Sequence, residues 1–236
     1  TATLTLIQQS QATYHGVIVG TGALDIQGGG GVRITLAGAN TYSGGTSLSG
    51  VWLTGTTNSL QGNIAASANS LVAFDQGTSG TYAGVISGNG ALVKQGAGTV
   101  VLTGANTYAG STNVYEGILQ LGAGGSLSAS STLFIFGGTF DLNGASQTVS
   151  ELSGLYGTIT LGSGTLTVNQ TTDTSTGVNI SGSGSLIKTG GGRLTLTSNN
   201  NYSGGTTIDG GTLRIGFSNI LAATGGVALT GGTFDL

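Results

Sequence analysis

Glycine supplies 48 of the 236 residues and charged residues only 6%, which excludes the charge-coated surface of an ordinary soluble enzyme, where about a quarter of residues are charged. A hydrophobic fraction of 37% with a net charge of −3 excludes a disordered Gly/Ser linker. Five Lys and Arg spread over the whole length exclude a basic nucleic-acid or membrane-binding face, and the lack of Cys excludes disulfides and thiolate metal sites. Pro is also absent, as expected where each strand donates and accepts backbone hydrogen bonds on both edges.

Along the chain, the opening TATLTLIQQS has neither the charged start nor the apolar centre of a signal peptide, and no apolar run approaches the roughly 18 residues of a membrane helix. From Tyr14 the sequence begins to echo itself. TYHGVIVG at Tyr14 resembles TYAGVISG at Tyr82, and GALDIQG at Gly22 returns as GALVKQG at Gly90 and GSLIKTG at Gly184. LAGANTYSGGTSLSG at Leu36 returns as LTGANTYAGSTNVYEG at Leu102 and LTSNNNYSGGTTIDG at Leu196. Aligned on Tyr42, Tyr108 and Tyr202, the copies are spaced by sixty-six and then ninety-four positions, and an Asp follows each Tyr at the same distance, at Asp75, Asp141 and Asp235. The first copy carries two extra residues in its Gly28–Gly31 run, and the extra length of the second spacing, twenty-eight positions, falls between Leu142 and Arg193.

Within each unit apolar residues alternate with Thr, Gln or Lys, as at Val100 and Leu102 or Leu119 and Leu121, which is strand spacing; the recurrent Gly and Thr suit no helix. Fixed-period self-similarity built from short strands predicts an all-β, right-handed parallel β-helix, a β-solenoid. With about 22 residues per coil, the shorter spacing makes three coils, the longer makes four, and the insertion must add a whole coil to keep side chains on their proper faces. The expectation is one β-solenoid segment over residues 1–236, of roughly eleven coils, with repeat units at about 14–75, 82–141 and 176–235 and an extra coil within 142–195.

The stretches GALVKQGAGTVVLTGANTYAGSTNVYEGILQLG, Gly90 to Gly122, and GSLIKTGGGRLTLTSNNNYSGGTTIDGGTLRIG, Gly184 to Gly216, resemble the passenger-associated transport repeat of bacterial autotransporters, and Gly22 to Gly50 is a looser match. The resemblance implies a β-helical passenger, exported unfolded through the outer membrane and displayed outside the cell. It further implies a non-enzymatic stalk or adhesin segment cut from a longer array, without cofactors, with self-association or a glycan or cell-surface ligand as its partner. A self-assembling filament, a solenoid enzyme acting on polysaccharides and an ice-binding solenoid are the alternatives from other classes.

Individual residues give little chemistry. Asn40, Tyr42, Asn106, Tyr108, Asn201 and Tyr202 read as repeat corners, where Asn tolerates tight turns and its side chains can stack into ladders while Tyr closes the turn. Asp75, Asp141 and Asp235 read as turn residues, too far apart for paired acid and base work, which needs carboxyls about 5–10 Å apart. His15 stands alone, so a metal or triad site is not supported. Gly28–Gly31 lacks the helix a phosphate loop requires, and the N-x-S/T sites at Asn169, Asn179 and Asn201 carry little weight. Trp52 is the oddity: alternation turns Leu53 inward and Trp52 outward, where it offers a lateral contact unless a loop from the next coil covers it.

Overall fold

The computed structural model of the protein describes residues 2–216, 221 and 225–236. Alternation of inward Leu, Ile and Val with outward polar residues gives short strands, each paired in parallel with the segment one coil before and one coil after. The step from one coil to the next, read from register partners, is as short as Thr46 to Ile64 and as long as Leu24 to Thr46. No helix occurs among the described residues, and the solenoid has about eleven turns. At about 4.8 Å per coil the rod is roughly 50 Å long.

The cross-section has three sides, each building its own column. The first side stacks Leu24, Thr46, Ile64 and Ile86, and resumes through Leu166, Leu186 and Thr206. The second stacks Leu53, Val72, Leu92, Thr112, Leu133 and Leu152. The third stacks Val100, Leu119, Phe140, Ile159 and Ile180. These inward residues are almost all fully buried in one continuous core, and each large aliphatic so placed contributes about 1.5–3 kcal/mol. Because every coil repeats the same contacts, stability grows approximately additively with length.

The columns correct the expected coil count of the repeats. Thr46, Thr112 and Thr206 hold equivalent places in the three copies, yet Thr46 and Thr206 lie in the first column and Thr112 in the second. The first spacing is therefore three and a third coils and the second four and two thirds, together eight complete coils. A coil averages about 20 residues, the short end of the solenoid range, and one side plus its corner already restores the inward and outward alternation. The unit of insertion is thus a side rather than a coil, and the extra length of the second spacing is four sides. The extra residues of the first copy form a bulge between Gln27 and Val32, inside the long strand Ala23–Leu36, where Gly31 takes φ 89°.

At the corners, buried amides take the place of peptide groups. Asn40 Oδ1 accepts the Ile18 N–H at 2.8 Å and its Nδ2 donates to Ser59 O at 2.7 Å, so one side chain joins the coils before and after it. Asn106 does the same for Ile86 and Ser126, and Gln76, Gln147 and Gln170 serve the N–H groups of Thr57, Leu127 and Leu152. These amides bond to backbone rather than stacking into an Asn ladder. In the third copy the role falls to Asn200, which accepts from Ile180 N–H at 2.8 Å and is 3% exposed, and not to Asn201, whose side chain is exposed. Tyr42, Tyr108 and Tyr202 are buried beside them, each hydroxyl sharing a hydrogen bond with the Thr four residues further on, at 2.8, 2.5 and 2.6 Å.

Candidate lateral binding surface

The three Asp residues end strands instead of meeting. Asp75 pairs in register with Gln95 on the second side. Asp141, on the third side, accepts from Gln120 Nε2 at 2.6 Å and from the Asn143 N–H at 2.9 Å. Asp235 pairs with Arg214 at 3.5 Å. These carboxylates are not brought together for acid and base chemistry, and no group of three or more His, Asp or Glu able to hold a metal occurs among the described residues. His15 is exposed.

Two lysines escape the sequence reading. Lys94 and Lys188 point inward and are fully buried. The Lys94 ammonium donates to the carbonyls of Gln95, Gly96 and Glu116 at 2.9, 2.6 and 3.1 Å. Lys188 repeats the arrangement on Thr189, Gly190 and Gly210 at 2.6, 2.8 and 3.1 Å. Three donors meet three corner carbonyls, two on the lysine's own coil and one on the next. Burial still lowers the pKa of both, that of Lys94 to about 8 against the raising influence of Asp75 and Glu116. These are structural cradles closed to solvent, and they offer a ligand nothing.

The outer wall of the second side is different. Leu53 is fully buried and Trp52 is 41% exposed, as the alternation predicts, and no loop covers the indole among the described residues. Trp52 stands between two recesses. One, of about 330 Å³, is lined by Arg33, Thr54, Leu71, Ala73, Val93, Gln95 and Tyr115. The other, of about 600 Å³, carries Gly30, Gly31, Asn69, Asn89 and Ser111. Further along the wall Tyr115 stacks on Phe136 with centroids 5.0 Å apart, and Phe136 on Phe134 at 5.9 Å. Tyr156 is the register partner of Phe136 and is 62% exposed beside Leu155 at 73%. Gly137 lets this ring lie flat: a Cβ there would stand 2.9 Å from Tyr156 Cε2. The result is a lateral aromatic band from Trp52 to Tyr156. Its later half was open to the same alternation that placed Trp52, since Leu133 and Ile135 turn Phe134 and Phe136 outward.

Contiguous apolar surface on the side of a soluble protein marks interaction, and comparison with known proteins gives that surface a context. The family model described as Passenger-associated-transport-repeat matches residues 33–50, 92–121 and 186–215. The chain is 40% identical over 168 residues to the protein named Adhesin BmaC autotransporter of Brucella suis biovar 1 (strain 1330), a match over 66% of this chain and 5% of that protein. The chain thus spans a small part of the length of this curated relative. No solved structure matches. Three matches to this repeat, their winding into a parallel solenoid and the 40% identity to an autotransporter adhesin together indicate an autotransporter passenger domain.

Proposed function

We propose that this segment is a non-enzymatic length of an extracellular rod, displayed at the bacterial surface, that both extends the passenger and adheres along its side, with the Tyr115–Phe136–Tyr156 patch meeting the same patch of a neighbouring rod. The observation that carries the reading is the exposed, stacked aromatic patch on an otherwise regular wall. A net charge of −3 over 236 residues leaves little repulsion between copies. Two rods lying side by side present many weak contacts at once, so avidity compensates for the weakness of each. The scattered carboxylates favour this over a polysaccharide-cleaving solenoid, and the name of the relative favours adhesion.

Sedimentation velocity over a concentration series tests the adhesive half. The expected result is a reversible, elongated dimer that disappears in the Phe136→Ser/Tyr156→Ser double variant while the circular dichroism of the sheet is retained. An elongated monomer at all concentrations up to about 1 mM would overturn lateral self-adhesion and leave a passive stalk.

A further inference from the structure

We propose that the recess between Trp52 and Tyr115 binds a glycan strand through a carboxylate-bearing sugar. This goes beyond rod-to-rod contact and shares only Tyr115 with that patch. The floor of the recess is Thr54, Ala73 and Val93, which are register partners on successive coils and face outward. They are nevertheless only 6%, 4% and 7% exposed, so the recess is cut into the wall and not painted on it. Its small floor residues leave room above them, and its volume of about 330 Å³ lies at the lower end for small-ligand sites.

The lining chemistry selects the occupant. An exposed indole and a phenol ring bound the recess and present flat faces on which the C–H face of a sugar ring stacks. Gln95 and, across Trp52, Asn69 and Asn89 supply neutral amide donors and acceptors suited to hydroxyl groups. The ion pairs among the described residues are Arg193–Asp173 and Arg214–Asp235, which leaves the exposed Arg33 guanidinium beside the indole without a carboxylate. Its fork matches a carboxylate in two parallel hydrogen bonds. A partner β-strand is disfavoured, because the backbone of this wall is already paired on both sides along Thr54, Ala73 and Val93 and offers no free edge.

Trp52 is the only tryptophan, and its emission therefore reports on the recess directly. The probes are 3′-sialyllactose and a hyaluronan tetrasaccharide, which place the carboxylate on a sialic acid or on a uronic acid, with lactose and fully N-acetylated chitotetraose as uncharged counterparts. One of the acidic sugars should give a saturable emission change with half-saturation below about 1 mM, with its uncharged counterpart about fivefold weaker. The difference should vanish in Arg33→Gln, and Ala73→Phe, which fills the floor, should abolish the response at unchanged melting temperature. The responding sugar tells sialate from uronate. No saturable response to either acidic sugar up to about 10 mM, equal responses to charged and neutral sugars, or a response that survives Ala73→Phe would overturn the assignment. Dimerisation lost in Phe136→Ser/Tyr156→Ser is read separately, so the failure of either idea leaves the other standing.

Discussion

Lys94 and Lys188 hold the same three-carbonyl cradle in two copies of the repeat, but the first opens from the second side of the solenoid and the second from the first. The repeat thus carries its corner with it as it rotates. In the first copy the equivalent position is Ile26, which is fully buried and lacks any such arrangement. The cradle is a property of the local sequence, and its energetics can be isolated by substitution.

Replacing either lysine with Met keeps the volume but strands three carbonyls, so each variant should lose roughly 1–3 kcal/mol at pH 7. The pH dependence has a defined sign. The folded Lys94 titrates near 8 and the unfolded group at 10.5, so between these values the unfolded chain binds more protons and stability rises with pH. Lys188 is shifted the same way. Above pH 10 the buried tyrosines oppose the trend: Tyr202 is raised from 10.0 to about 12 by burial, and its contribution is lost as pH rises. Denaturation midpoints between pH 8 and 10 should therefore climb in the parent relative to Lys94→Met/Lys188→Met. Parallel curves would show that the lysines titrate alike in both states.

The corner amides give a sharper contrast between neighbours. Asn200→Ala orphans the buried Ile180 N–H and should cost roughly 1–3 kcal/mol. Asn201→Ala removes an exposed side chain and should stay within about 0.5 kcal/mol. Urea midpoints of the two variants check the difference, and equal losses would show that the amide at position 200 is not replacing a peptide group.

That contrast also marks the limit of what the sequence reveals. Three consecutive asparagines, Asn199 to Asn201, carry no internal signal of which one turns inward, and only the register decides for Asn200. Alternation did place Trp52 outside and Leu53 inside, because strand geometry alone determines it. The same rule places Lys94 inside, two residues after Leu92, but a charged residue reads as solvated until three carbonyls are seen to meet it. The rotation of the repeat was hidden for another reason. A coil length uncertain by two residues accumulates over three coils into almost a full side, so the spacing from Tyr42 to Tyr108 could not distinguish three coils from three and a third.

Between Phe136 and Thr139 the register with the next coil shifts, a bulge under the aromatic patch that makes a local prediction. Gly137 has φ 143°, where side chains are rarely accommodated, and an added Cβ would press on both Tyr156 and the Tyr115 carbonyl. Gly137→Ala should cost roughly 1–3 kcal/mol and displace the Tyr156 ring. Loss of near-ultraviolet ellipticity without loss of the β-sheet signal would be the readout, while an unchanged aromatic spectrum would mean that the patch does not depend on the bulge.

The three-sided reading is tested most directly by deletion. Removing Ser146 to Asp173 and joining Ala145 to Thr174 gives the pair Tyr108 and Tyr202 the spacing already present between Tyr42 and Tyr108. Four sides are lost, which is not a whole number of coils, yet each remaining segment meets a side of equivalent geometry with its inward residues still inward. The shortened chain should fold cooperatively, with a denaturant slope reduced roughly in proportion to the surface removed, and Thr206 should now stack in the third column instead of the first. Crosslinking between cysteines introduced at exposed positions of adjacent coils would report that one-third rotation. A shortened chain that fails to fold, while deletion of one whole coil from Thr165 to Gly184 is tolerated, would restore the coil as the smallest exchangeable unit; Thr165 and Ser185 are register partners, so that control keeps every later residue on its own side.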